Sequence, residues 1–250
     1  MTFASAAVLL PLLFVVQERE IPLAGETHHV QGILVDEKAQ RVYVTSVDRQ
    51  SRKGFLMEYE LPSGKQLRSI EIQQDGERFH PGGFDADDKS FWIPVAEYKR
   101  NSSAVIQKRN RQTLALEASF PVTDHIGCVA IAKNRLYGGN WDSKQIYEWK
   151  FDGKEIRKRD SASQYHYQDI KFRKNKLVAG GINAQEGAVE YLNPGSLKIE
   201  KRVTFGKTSR GVLFPHEGMD LVGNYVYFLP EDAPSRLFMF RIRPMPATTP

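Results

Sequence analysis

Short apolar runs rich in Val, Ile, Tyr, Phe and Trp alternate along the chain with turn residues such as Gly, Asn, Asp and Pro. A pleated, half-buried surface favours those side chains, and tight turns favour those breakers, so the pattern predicts strands throughout. No segment carries the 3.6-residue periodicity of a long helix.

The runs repeat. Five segments opened by a histidine start at His29, His80, His125, His166 and His216, with steps of 41 to 51 residues. A second strand follows each: VYVTSVD (42–48), FWIPVAE (91–97), LYGGNWD (136–142), LVAGGIN (177–183) and VYFLPED (226–232). Third strands are FLMEYEL (55–61), AVIQKRN (104–110), QIYEWKF (145–151), AVEYLNP (188–194) and RLFMFRI (236–242). Fourth strands are QLRSIEI (66–72), LALEASF (114–120), EIRKRDS (155–161) and LKIEKRV (197–203). The fifth unit has no fourth strand of its own, whereas VVQEREIPL (15–23) stands before His29 as a fourth strand would. A period of this length made of four strands indicates propeller blades. The predicted fold is therefore all-β: a five-bladed β-propeller of four-stranded blades, closed by the N-terminal strand completing the last blade. Closure of that kind protects strand edges.

The layout places chemistry. The first strand of a blade lies nearest the axis, and the second runs antiparallel to it, so each histidine is expected beside the polar end of its own second strand. The expected pairs are His29 with Asp48, His80 with Glu97, His125 with Asp142, His166 with Asn183 and His216 with Asp232. All should ring one mouth of the central channel. One reading makes the five histidines ligands of a divalent metal that activates water, which would make the protein a metal-assisted hydrolase. The other makes them a repeated structural device, because the layout resembles WD-repeat propellers, where a His and an Asp tie each blade together. A third is a metal-free site for a polar ligand.

If the repeat is structural, function lies where the units differ. Asp169 occupies a position held elsewhere by Gly32, Gly83, Cys128 and Met219, and Glu217 follows His216. Asp48, Glu97, Tyr98, Asn140, Asp142, Asn183, Glu231 and Arg236 fall at second-strand ends or the turns after them. Such a set offers an aromatic wall, acid–base carboxylates and a cation for a small polar or anionic ligand.

Composition alters this little. A net charge of +5 is spread over a scattered surface, and no basic patch with interleaved aromatics indicates nucleic acid. The single cysteine, Cys128, excludes an intrachain disulfide framework and lies in an apolar run that suits a buried hydrophobe. A nucleophile elbow and an HExxH motif are both lacking, and GKT (206–208) lacks the upstream glycine of a phosphate loop. MTFASAAVLLPLLFVV (1–16) reads as a secretory leader or, alternatively, as a buried first strand of a cytoplasmic protein, and it is too short and Pro-interrupted for a stable membrane span. Residues 17–243 then form one domain, with 244–250 as a tail.

The segments THHVQGI, TSVDRQSRKGFL, HPGGFDADDKSFWIPVAEY, DHIGCVA, GGNWDSKQIYEW, HYQDIKF and PEDAPSRLFMF resemble a bacterial family of exported proteins without established function. The resemblance runs from about residue 27 to 242 and implies a secreted or periplasmic propeller-like domain. It supplies no catalytic residues. The expectation is a monomer binding a small polar molecule at the axial mouth, with a non-catalytic platform for protein or carbohydrate as the alternative.

Overall fold

The computed structural model describes residues 13–244, so residues 1–12 of the expected leader and 245–250 of the expected tail lie outside it. The described residues contain no α-helix, and none of their elements is a helix long and apolar enough to cross a membrane.

The strands form five blades. The first chain element, β1 (Leu13–Pro22), is set aside for the last of them. Blade 1 is β2 (His29–Asp36), β3 (Arg41–Asp48), β4 (Lys53–Glu60) and β5 (Gln66–Glu71), in that order outward. Blade 2 has an inner strand broken into β6 (Arg78–Pro81) and β7 (Asp85–Ala86), then β8 (Ser90–Glu97), β9 (Ala104–Asn110) and β10 (Leu116–Val122). Blade 3 is β11 (Ile126–Ala132), β12 (Arg135–Asn140), β13 (Gln145–Trp149) and β14 (Glu155–Asp160). Blade 4 is β15 (His166–Arg173), β16 (Lys176–Ile182), β17 (Gly187–Leu192) and β18 (Ile199–Phe205). Blade 5 is β19 (Glu217–Val222), β20 (Tyr225–Pro230) and β21 (Arg236–Pro244), with β1 as its outer strand.

The ring thus closes as the sequence predicts. Leu13 pairs with Pro244 and Pro22 with Arg236, antiparallel. Leu13 to Val16, assigned to the leader on sequence grounds, are paired in this strand. Burial explains the grading of the strands. In β3 every residue except the two terminal ones is buried, and in β8 every residue except Glu97, because a second strand is covered by blades on both faces. The outer β5 alternates half-buried with exposed positions. Apolar side chains gather into five clusters, one between each pair of neighbouring blades. Val44, Met57 and Leu229 join blades 1 and 5, for example, and Leu177 and Tyr137 join blades 3 and 4.

The axis is packed tightly. Gly83 N donates to Gly127 O at 2.9 Å and Val129 N donates to Gly83 O at 2.9 Å, so inner strands of blades 2 and 3 pair in parallel. A Cβ on Gly82 would fall 2.0 Å from Gly127 O, so no larger residue fits there. Lower in the channel, carboxylates replace sheet bonds between blades. Asp169 accepts from Ile33 N and Met219 N at 3.1 and 3.2 Å, and Asp220 accepts from Val35 N at 2.8 Å. Asp85 accepts from Ile131 N and Phe172 N at 3.2 and 3.1 Å. Lys171, fully buried, meets Asp169 at 2.6 Å, and Arg173 bridges Asp85 and Asp220, each at 2.9 Å. This ionic plug fills the channel below the mouth.

Candidate active site at the channel mouth

Above the plug the channel opens into a cavity of about 490 Å³. Local irregularities of the inner strands shape it. Register shifts at Val30/Gly32, Ile126/Cys128 and Tyr167/Asp169 leave Gln31, Gly127 and Gln168 as bulged residues, and all three line the cavity. Bulges re-aim side chains in this way beside functional sites. Blade 5 lacks the bulge, but Glu217 has a φ of 95° there, a left-handed conformation that costs a non-glycine residue energy.

Four of the five histidines reach toward the preceding blade rather than along their own. His29 Nδ1 lies 2.8 Å from Glu231 Oε2 of blade 5. His80 Nε2 lies 2.8 Å from Gln31 Oε1 of blade 1. His125 Nδ1 lies 3.1 Å from Lys99 O in the β8–β9 turn of blade 2, and His166 Nδ1 3.9 Å from Asp142 of blade 3. His216 Nε2 is 3.4 Å from its neighbour Glu217. The own-blade pairs expected from sequence do not form, because the second-strand ends cap their own turns. Asp48 accepts from Gln50 N and Ser51 N at 2.9 and 3.3 Å. Glu97 accepts from Ser103 N at 3.0 Å, Asn140 from Gln145 N at 3.0 Å, and Asn183 from Glu186 N at 2.9 Å. Asp142 binds Arg100, and Asp232 binds Arg210 and Arg236.

Two further expectations are corrected. Asp169 does not line the cavity but belongs to the plug with Lys171. Arg236 lies away from the mouth, clasping Asp232 and, at 2.8 Å, Glu20 of β1. The expected metal centre also fails on geometry. Among the described residues no three His, Cys, Asp or Glu side chains stand as a ligand set for an ion. The imidazoles are spread around the rim and most are turned to neighbours.

The mouth has two unlike halves. Blades 2 and 3 supply an aromatic wall: His80 stacks on Tyr98 at 4.1 Å between ring centres, and His125 meets Trp141 edge-on at 4.4 Å. Burial holds both imidazoles neutral, His80 well below its ordinary value and His125 pushed down to about 4. Gln31 donates its own Nε2 to Val30 O at 3.0 Å, so its oxygen accepts from His80 Nε2–H. His80 Nδ1 is then a buried acceptor with no partner among the described residues.

Blade 5 and its neighbour supply the acid half. Glu217 is 5% exposed, and burial pushes its carboxyl up to about 8 against the pull of His29, so it is a neutral acid at pH 7. Burial works against charge on His29, but the hydrogen bond to Glu231 and that carboxylate's charge raise the imidazole. Glu231 also accepts from Val30 N at 3.2 Å, which fixes its orientation. A protonated carboxyl thus lines the same cavity as a histidine that is oriented by a second carboxylate.

Sequence reasoning singled out Tyr98, Asp142 and Glu217, which line the cavity, and Glu231, which lies against His29. It missed Arg49, Arg100, Gln31 and Gln168. Both arginines stand in turns directly after the polar strand ends, Arg49 next to Asp48, and that adjacency was the available signal.

Residues 16–173, which include His29, Arg49, Tyr98, Trp141 and His166 of this mouth, match one family model. The chain belongs to DUF6454, a family of unknown function. No curated protein matches this DUF6454 chain by sequence. Among solved structures it is similar to Myxococcus xanthus glutaminyl cyclase, with a TM-score of 0.69 and 12% identity over 93% of this chain and 97% of that one. It is also similar to U3-55K, with a TM-score of 0.51 and 11% identity over 87% of this chain and 62% of that one. At these identities the likeness is one of fold.

Proposed function

We propose that this DUF6454 member is an enzyme whose channel mouth performs general acid–base chemistry on a small polar substrate. Glu217 is the proton donor, and His29, held by Glu231, is the acceptor. The observation that carries the reading is the buried, conformationally strained Glu217 beside the His29–Glu231 couple in an open cavity. Catalytic acids are made in this way, by burial that keeps a carboxyl protonated at neutral pH.

Cyclisation of a glutaminyl residue, the activity named for the Myxococcus xanthus neighbour, is a reaction such a site can serve. The amine nitrogen bonds to the side-chain amide carbon and passes its proton to His29. Glu217 protonates the leaving nitrogen as the amide C–N bond breaks and ammonia departs. His29 then returns its proton to Glu217, and the site is restored. Both residues must be in the right state, so the rate should be bell-shaped in pH. It rises as His29 loses its proton above its ordinary 6.5 and falls as Glu217 ionises near 8.

The test is ammonia release from a glutaminyl dipeptide across pH 5–10, beside a carbon-13 titration of Glu217. Expected are the bell and a loss of about 100-fold or more in Glu217→Gln. A Glu217 carboxyl titrating near its ordinary 4.5 would remove the proposed acid whatever the substrate.

A further inference from the structure

Arg49 projects from the β3–β4 turn into the mouth. Its guanidinium lies over the Tyr98 ring, 4.4 Å from the centre, and donates to the Tyr98 hydroxyl. No carboxylate stands at ion-pair distance from it among the described residues. The other arginine of the mouth, Arg100, is committed to Asp142. Stacking on an aromatic ring holds the planar fork in place and leaves the rest of its N–H edge for a ligand. Arg49, His29 and Glu217 line the same cavity, so a group bound to Arg49 lies in the space that holds the acid–base half.

Resting on the acid–base reading above, we infer that Arg49 anchors a carboxylate of the substrate. The substrates of this mouth are then small monocarboxylates whose apolar or planar part lies along the wall of Tyr98 and Trp141. A guanidinium fork matches a carboxylate bidentately, and one uncommitted cation matches one negative charge. A doubly charged phosphate would meet Glu231 and Asp142, which border the same mouth.

Calorimetric titration with phenylacetate, phenylacetamide and inorganic phosphate tests this. Phenylacetate should bind saturably, and phenylacetamide at least about tenfold more weakly, the usual worth of a charge-assisted pair. Arg49→Gln should weaken phenylacetate by a similar factor, and Arg49→Lys should recover only part of it. Arg157→Gln, on the outer strand β14, should leave it unchanged. Arg49 is exposed in a turn, so these variants should keep the fold, which thermal melting checks.

Equal binding of acid and amide, undiminished binding in Arg49→Gln, or no saturable binding would overturn the assignment. Phosphate binding more tightly than phenylacetate would overturn the carboxylate in favour of a phosphoryl group. Carboxylate binding that depends on Arg49 while Glu217 titrates normally would keep the anchor and remove the acid–base reading. A bell-shaped profile without Arg49 dependence would do the reverse.

Discussion

Replacing Glu217 with Gln removes a proton equilibrium while nearly preserving shape. In the folded protein burial lifts this carboxyl to about 8, from an ordinary 4.5. Below 4.5 both folded and unfolded forms are protonated and pH has no leverage. Between 4.5 and 8 the unfolded chain ionises while the folded one does not, so stability falls as pH rises, by about 1.4 kcal/mol per unit. Above 8 the curve levels. From pH 5 to pH 8 the wild type should lose roughly 3 to 4 kcal/mol through this group, less what coupling to His29 returns. The Gln side chain does not titrate and loses none. Urea unfolding at pH 5, 6.5 and 8, followed by circular dichroism, would measure it as a difference between the two proteins. His80 and His125 titrate in both and cancel. The variant should be the more stable one at pH 8, although it lacks the proposed proton donor. Parallel stability curves for wild type and Glu217→Gln would refute the reasoning.

Gly127→Gln adds a side chain at the bulge position that Gln31 and Gln168 occupy in their own blades. A Cβ there meets nothing closer than 3.7 Å, so melting temperature should hold while phenylacetate binding and any turnover disappear. His125, pushed down to about 4 from 6.5, makes the fold sensitive to acid, since the unfolded chain takes up a proton that the folded one refuses. His125→Gln should therefore flatten the loss of stability between pH 6.5 and 4, worth up to about 3 kcal/mol, in the same urea assay. Arg173→Met leaves Asp85 and Asp220 without their shared cation in the plug and should cost about 3–5 kcal/mol, read from the unfolding midpoint at pH 7.

Blade count, strand order and ring closure were legible because each follows from local pattern. Strand propensity and turn chemistry act over a few residues, and the repeat then multiplies a weak signal. The histidine partners were not legible for a physical reason. A side chain's direction at the mouth depends on one bulged residue and on how neighbouring blades are rotated, as His29 reaching Glu231 across 202 positions of chain shows. The plug could have been read. Asp169, Lys171 and Arg173 stand two residues apart along β15, and a strand puts such residues on one face. Asp169 was instead taken alone as a departure from its counterparts. Glu217 was flagged by its place after His216, but its strained backbone has no trace in sequence.

Closure of the last blade by β1 also sets an order of events during synthesis. Blades 1 to 4 draw their strands from consecutive stretches and can form while the chain is still emerging from the ribosome. Blade 5 cannot, because its outer strand is made first and its inner three are made last. His29 is therefore synthesised nearly the whole chain ahead of Glu217 and Glu231 and meets them only as the ring shuts. A nascent chain folded through blade 3 carries the aromatic half of the mouth, and of the acid half only His29, until blade 5 is made.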